Sequence, residues 1–564
     1  MSFLMIIVIA SINCGASDVV TDLNLITWNP DDTLVSNGDA RKVPSINSVS
    51  KVLDTLRVFT RRKKNCYSIP VTKGDKVLVR ASFYYGNYDG LSNPPEFNLH
   101  FDGNFWETVE TTMTDVIRYE ITYVSKHDFV SVCVAQTRPG QFPFISSLEV
   151  RKLDSDMYRE VDESRALILL RRVSFGASQG LRYPNDMYDR IWKYPADIVS
   201  RVKNSASPVD TTKTPNKPPS GIFDNAMTGV GTTVGLFLGT VNPLDTPIYA
   251  NMYFSEVTSL GTILKRSFRV YGKNSTAPSD WLPSSTPISP PYGSVIVQSF
   301  YNYSVNSMTD IYLGAYDNSD LPPIINAMEV FQISAVLTDG TNTIDVKALS
   351  LLQSTFDVLG GWSGDPCLPA PYSWDWLNCS NDATPRVTSL NLASFDLSGS
   401  LPDISSMDAL LIIDLHNNSL SGAIPSFLGT MPNLQRLNLA DNQFSGPLPT
   451  SLSTNKKLNL NVNGNPSLCT SGNSCSSTRG KKKSSILPII LGIAIPVFVL
   501  FWVAAGVFIV LRKKKRAANI NMPATVVTRE NGNPYIVQRT SEGLENENAG
   551  SPVPQVVVSP QHVA

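Results

Sequence analysis

Residues 486–511 read ILPIILGIAIPVFVLFWVAAGVFIVL, 26 positions without one charged side chain. As a helix the run would be roughly 39 Å long, enough to cross a ~30 Å hydrocarbon core with some tilt. A buried core helix of this length would carry a polar face, so the pattern predicts a single membrane span. Pro488 and Pro496 fit that reading, because bilayer helices re-satisfy freed backbone groups locally. Basic residues flank both ends: Arg479, Lys481, Lys482 and Lys483 before, Arg512 to Arg516 after. The charge rule therefore gives only a slight bias toward a cytosolic C-terminus. Orientation has to come from the chemistry of what precedes the span.

That chemistry is extracellular in type. Seven cysteines are present and none forms a CxxC pair. Cys367 and Cys379, then Cys469 and Cys475, lie as two local pairs around a repeat block, which suits disulfides in an oxidising compartment better than a zinc site. The glycosylation acceptors Asn274, Asn302, Asn378 and Asn417 all precede the span, and no sequon follows it. Residues 1–11, apolar and ending near Ala10, read as a short and atypical signal peptide. Lys plus Arg (47) nearly balances Asp plus Glu (48), so no basic field marks the chain for nucleic acid. Four histidines leave little material for metal sites or catalytic triads. No metal, cofactor or enzymatic activity is expected.

Up to residue 335 the chain is rich in Val, Ile, Tyr, Phe and Thr. Period-2 stretches such as 76–85 and 129–134 are separated by turn clusters such as 86–90 and 92–95. This is the signature of antiparallel β-sandwiches. The length suits two, over 12–152 and 165–335. The segments 144–150 and 324–330 look like one closing strand used twice. Residues 154–165 read as a polar connector, and 203–220 as a surface loop of the second unit.

Five stretches carry a family resemblance in order: NCG at 13–15, RASFYYGNYD at 80–89, RYPNDMYDRIW at 182–192, YANMYFSE at 249–256 and LPPIINAME at 321–329. Together they resemble the malectin-like ectodomain of plant leucine-rich-repeat receptor-like kinases. The resemblance implies two tandem malectin folds related to carbohydrate-binding modules. Tyr84, Tyr85, Tyr88 and Asp89, with Trp106 on the next hairpin, would form a glycan platform, since sugar C–H faces pack on aromatic rings. The alternation over 83–85 also turns at least one of these rings into the core. The GDPC motif at 364–367 resembles the segment joining malectin-like and repeat regions in this family. It implies a helix and cysteine cap over 345–385, stapled by Cys367–Cys379. Cys14, Cys66 and Cys133 remain; Cys66–Cys133 is the pairing expected within the first sandwich, with Cys14 odd, although spacing does not fix connectivity.

Leu410, Leu434 and Leu458 recur every 24 residues, and the first two open LxxLxLxxNxLxGxIP-type repeats. A shorter copy starts at Val387. These are about three plant extracellular leucine-rich repeats over 386–475, closed by a Cys469–Cys475 bridge. Asn418 and Asn442 would satisfy backbone groups inside the turns. The repeat block reads as a spacer or a lateral contact surface. Residues 512–564 hold no Gly-rich loop, H-R-D or D-F-G, and read as a disordered cytosolic tail.

The fold expected is mainly β: two malectin-like sandwiches, a short solenoid, one transmembrane helix and a tail. The function expected is that of a single-pass type I receptor-like protein at the plasma membrane. Its partners would be the lipid bilayer, a cell-wall carbohydrate, peptide or glycoprotein ligand, and a receptor-like kinase through which it signals. The alternative is an endoplasmic-reticulum glycan-binding lectin in glycoprotein quality control.

Overall fold

The computed structural model describes residues 8–195, 200–203, 208–229, 231, 233–236, 245–274, 286–307 and 309–470. The expected span 486–511, the tail 512–564 and Cys475 lie outside them. Among the described residues no helix is long and apolar enough to cross a membrane.

The two expected sandwiches are present and share a sheet. One ten-stranded sheet runs in the order Val20–Thr21, Thr27–Pro30, Val8–Asn13, Ser147–Lys152, Lys76–Phe83, Ile117–Val124, Leu167–Ser174, Ala327–Ile333, Thr246–Phe254 and Ile296–Val305. The first half closes over the four-stranded sheet of Lys64–Pro70, Phe129–Gln136, Glu96–Phe101 and Asn104–Glu110. The second half belongs with the three-stranded sheet of Thr233–Leu236, Thr309–Ala315 and Phe268–Asn274. Antiparallel pairing of Ile121 with Ile168 and of Thr122 with Leu167 makes the seam.

Strand Lys76–Phe83 shows why the sequence folds this way. Val77, Val79, Ala81 and Phe83 enter the first core, while Leu78 enters a separate cluster at the seam. Period-2 alternation sends successive side chains to opposite faces, so Arg80 and Ser82 stand on the seam side with Leu78. Every residue of this strand is buried, as a strand covered on both faces must be.

Two expectations need correction. Val8–Asn13 is a strand, paired antiparallel with Ser147–Lys152 and parallel with Thr27–Pro30, so residues 8–11 of the expected signal peptide belong to the fold. An apolar segment with Ser11 and Ile12 buried gains more from the sheet than from remaining a free end. The connector after Asp154 is not simply polar either, since Met157, Tyr158 and Val161 are buried at the seam.

Helix Thr343–Thr355 starts at Asn342, whose side chain accepts the amide of Ile344. Its apolar face joins the core of the repeats. Parallel strands Val387–Asn391, Ile412–Asp414, Arg436–Asn438 and Asn459–Asn461 build the solenoid, with Leu377–Cys379 antiparallel at its N-terminal edge. Asn442 Nδ2 donates to the carbonyls of Leu415, Leu439 and Ala440, while its Oδ1 accepts the amide of Leu420. Asn418 repeats the pattern one turn earlier and Asn465 one turn later.

Candidate functional site

The expected glycan platform is mostly interior. Tyr85 is 0 % exposed, Trp106 2 % and Tyr84 3 %, so the faces of these rings pack against protein rather than solvent. Tyr88 is half-buried against Tyr85 and Phe144, and only Asp89 is exposed. The Tyr85 hydroxyl donates to Asp89 Oδ1 at 2.5 Å, and burial, then that carboxylate, pushes its pKa up to about 12. The reason lies in the register. Phe83 continues the core-facing alternation, the strand ends there, and Tyr84 and Tyr85, no longer bound to alternate, both join the first core ahead of the left-handed Gly86.

Of the glycosylation acceptors, Asn302, Asn378 and Asn417 are exposed; the side chain of Asn274 lies outside the described residues. Cys66–Cys133 and Cys367–Cys379 are formed, and Cys14 is free and buried.

What sequence reasoning missed is on the seam face of the sheet. Glu120, Arg80 and Glu149 are direct cross-strand neighbours. Arg80 Nη2 reaches Glu120 at 2.8 Å and Nη1 reaches Glu149 at 2.7 Å. Arg172 of the second sandwich bonds Glu120 at 2.6 Å and Glu329 at 2.6 Å. Arg151 and Arg182 complete Glu149 and share Asp189. Burial pushes the Glu120 carboxyl up, but Arg172 and Arg80 more than reverse it and hold it below its usual value. Buried charge is tolerable only when matched in this way.

One row further along the same face the matching stops. Arg118 stands opposite Ser82, and Ser82 opposite Ser147. Directly opposed residues sit about 5 Å apart at Cβ, so the guanidinium faces two small side chains instead of a carboxylate. The room they leave is an open cleft of about 580 Å³. Arg118 is exposed there. Desolvation lowers its pKa, Glu149 works against this, and Arg80 and Arg182 lower it further.

Two braced loops wall the cleft. The turn at 22–26 is fixed by Asp22, whose Oδ1 accepts the amides of Asn24 and Ile26 and whose Oδ2 accepts Trp28 Nε1. The segment 44–54 is held by Tyr84, whose hydroxyl donates to Asn47 O at 2.6 Å, and by Asn47 Nδ2 on Gly86 O at 2.9 Å. Tyr84 thus positions a cleft wall rather than presenting its ring. Leu23 and Val49 line the cleft with 102 % and 50 % exposure, and Leu25 and Ile46 on the same loops are 72 % and 90 % exposed. On the solenoid, Asp414 pairs with His416 at 2.7 Å, and Arg436 is exposed on the next strand, opposite Ile412.

Comparison with known proteins follows this architecture. The malectin-like domain family matches residues 12–333. A relative named "Probable LRR receptor-like serine/threonine-protein kinase At1g05700" of Arabidopsis thaliana is 34 % identical over 404 residues, covering 69 % of this chain and 46 % of its own length. An uncharacterised Arabidopsis thaliana protein, At1g24485, is 35 % identical over 336 residues, covering 59 % of this chain and 66 % of its own. The chain thus spans about half the length of the kinase relative. The crystal structure of the ANX2 ectodomain from Arabidopsis thaliana aligns with a TM-score of 0.48 at 18 % identity, over 58 % of this chain and 97 % of that one. On the family match over residues 12–333, the chain belongs to the malectin-like domain family, with leucine-rich-repeat receptor-like kinases among its relatives.

Proposed function

We propose that this chain is a single-pass receptor-like protein of the cell surface. Its sandwiches and repeats face outward and bind a peptide, glycoprotein or carbohydrate ligand, and a partner receptor kinase carries the signal. The observation behind this reading is the open cleft held between two braced loops on a sheet that continues through both sandwiches. A braced frame around an open recess is the geometry of recognition. The role is binding rather than catalysis. Glu149 is saturated by three arginines, Asp22 by its own turn, and Asp54 has one oxygen on Ser48 Oγ and the other buried, so none of the three carboxylates lining the cleft is poised for acid–base work.

The test is the topology of the full chain carrying a C-terminal epitope in a plant secretory host. The expected result is an N-glycosylated protein that takes up a membrane-impermeant biotin reagent, with the epitope shielded until cells are permeabilised. An unglycosylated cytosolic protein contradicts the proposal. Retention inside the cell with only immature glycans supports the lectin alternative instead.

A further inference from the structure

We propose that the Arg118 cleft is the docking site for a linear peptide that sets a carboxylate on the guanidinium and aliphatic side chains on Leu23 and Val49. This rests on the receptor reading and names the ligand class for it.

Charge complementarity is the first ground. Along the seam face each buried arginine of the rows beside Arg118 is met by a carboxylate, whereas Arg118 has serines opposite and opens to the cleft. Lys51 adds a second exposed cation to the lining. Glu149, the carboxylate that acts on Arg118, is already paired with Arg80, Arg151 and Arg182, so among the described residues the guanidinium has no ion pair of its own and a carboxylate from outside would supply one. A guanidinium takes a carboxylate through two parallel hydrogen bonds, which fixes orientation as well as affinity.

The second ground separates peptide from glycan. A neutral sugar is held by an exposed aromatic face. Trp28 is the aromatic residue of this cleft; it is 3 % exposed and its indole N–H is given to Asp22. The walls instead offer exposed aliphatic side chains, Leu23 wholly and Val49 by half, on turns that their own hydrogen bonds hold open. Aliphatic contact on both sides of an ion pair is what an extended peptide supplies from alternate residues.

The experiment uses the full chain in detergent and an array of nine-residue peptides with aliphatic residues flanking a central Asp, Asn or Lys, beside a uronic-acid oligosaccharide. Asp-centred peptides should bind best. Arg118→Gln should weaken them roughly tenfold, the loss expected for one charge-assisted contact, and Leu23→Ser should weaken all peptides. Melting temperatures should hold, since neither side chain supports the core. Equal binding of the three peptide classes, or binding indifferent to both variants, overturns the proposal. Arg118-dependent binding of the oligosaccharide alone overturns the peptide class and leaves the receptor reading standing. Failure of the receptor reading shows separately, in the surface labelling.

Discussion

The Lys64 ammonium donates a 2.7 Å hydrogen bond to the carbonyl oxygen of Asp365, 301 residues further along the chain. A second 2.7 Å bond reaches the carbonyl of Leu368. The repeat cap therefore docks back on the first sandwich. Arg62 lies 3.7 Å over the Trp362 ring, and Ser363 Oγ donates to Cys66 O. Burial lowers the Lys64 pKa from 10.5 to about 8, against Asp365 and Asp375, which raise it. Between those values the unfolded chain holds the proton and the folded chain releases it, so stability rises with pH through this window. Lys64→Met should abolish that rise. Denaturant melts between about pH 8 and 10.5 check it, and a variant curve parallel to wild type contradicts it.

Gly364 gives the GDPC motif its physical meaning. Its φ is +73°, and a Cβ added there would lie 2.5 Å from Cys66 Sγ and 3.0 Å from Cys133 Sγ. The first sandwich's disulfide is the surface against which the motif packs, so only glycine allows the approach. Gly364→Ala should cost about 1–3 kcal/mol through backbone strain and overpacking. Hydrogen exchange should rise over residues 360–372 while the repeat turns stay protected. Unchanged exchange there would rule out the docked arrangement.

Much of this architecture is readable from local pattern. The twin closing segments become Phe144–Ile145 with Ser147–Lys152 and Ile324–Ile325 with Ala327–Ile333, the same split strand in each sandwich. The repeat period places Asn418 and Asn442 without any tertiary information, because each serves groups within a turn or two of itself. The seam is different. Glu120 meets Arg172 52 residues away, and Tyr158 meets Glu329 at a separation of 171. The supposed surface loop threads into the same place, with Asn216 Oδ1 accepting the amide of Tyr158 and its carbonyl accepting Arg190. Long-range ion pairs leave no periodic trace, and the same is true of a cleft defined by one arginine lacking an opposite carboxylate. The aromatic run at 83–88 suggests a surface platform on composition, but only the fold shows that it brings the rings inward.

Glu120 is the carboxylate shared by both sandwiches. Glu120→Gln removes the charge between Arg80 and Arg172 and leaves a buried guanidinium undercompensated. The cost should be about 3–5 kcal/mol, read as a shift of one cooperative transition, because the sheet is continuous through the seam. A loss confined to one sandwich would show that the seam does not couple them. Glu120 is held below 4.5, so its contribution is present above that value and fades as pH falls toward its depressed native value. The variant should lose less than wild type over that acid range.

Asp102 works in the opposite direction. It sits at the tip of the hairpin joining Glu96–Phe101 to Asn104–Glu110, with Ser131 N donating to Oδ1 at 2.6 Å and Tyr123 Oη to Oδ2 at 2.7 Å. Burial raises its pKa from 3.8 to about 6, although both hydrogen bonds lower it. A raised carboxyl contributes stability that is complete below 3.8 and gone once pH passes 6. Because Glu120 gains stability as pH climbs out of the acid range, the two effects overlap in wild type and must be separated by difference. The melting temperature of wild type minus that of Asp102→Asn should therefore fall as pH rises from about 4 to 6. A constant difference would mean that Asp102 is charged throughout, its two donors outweighing burial.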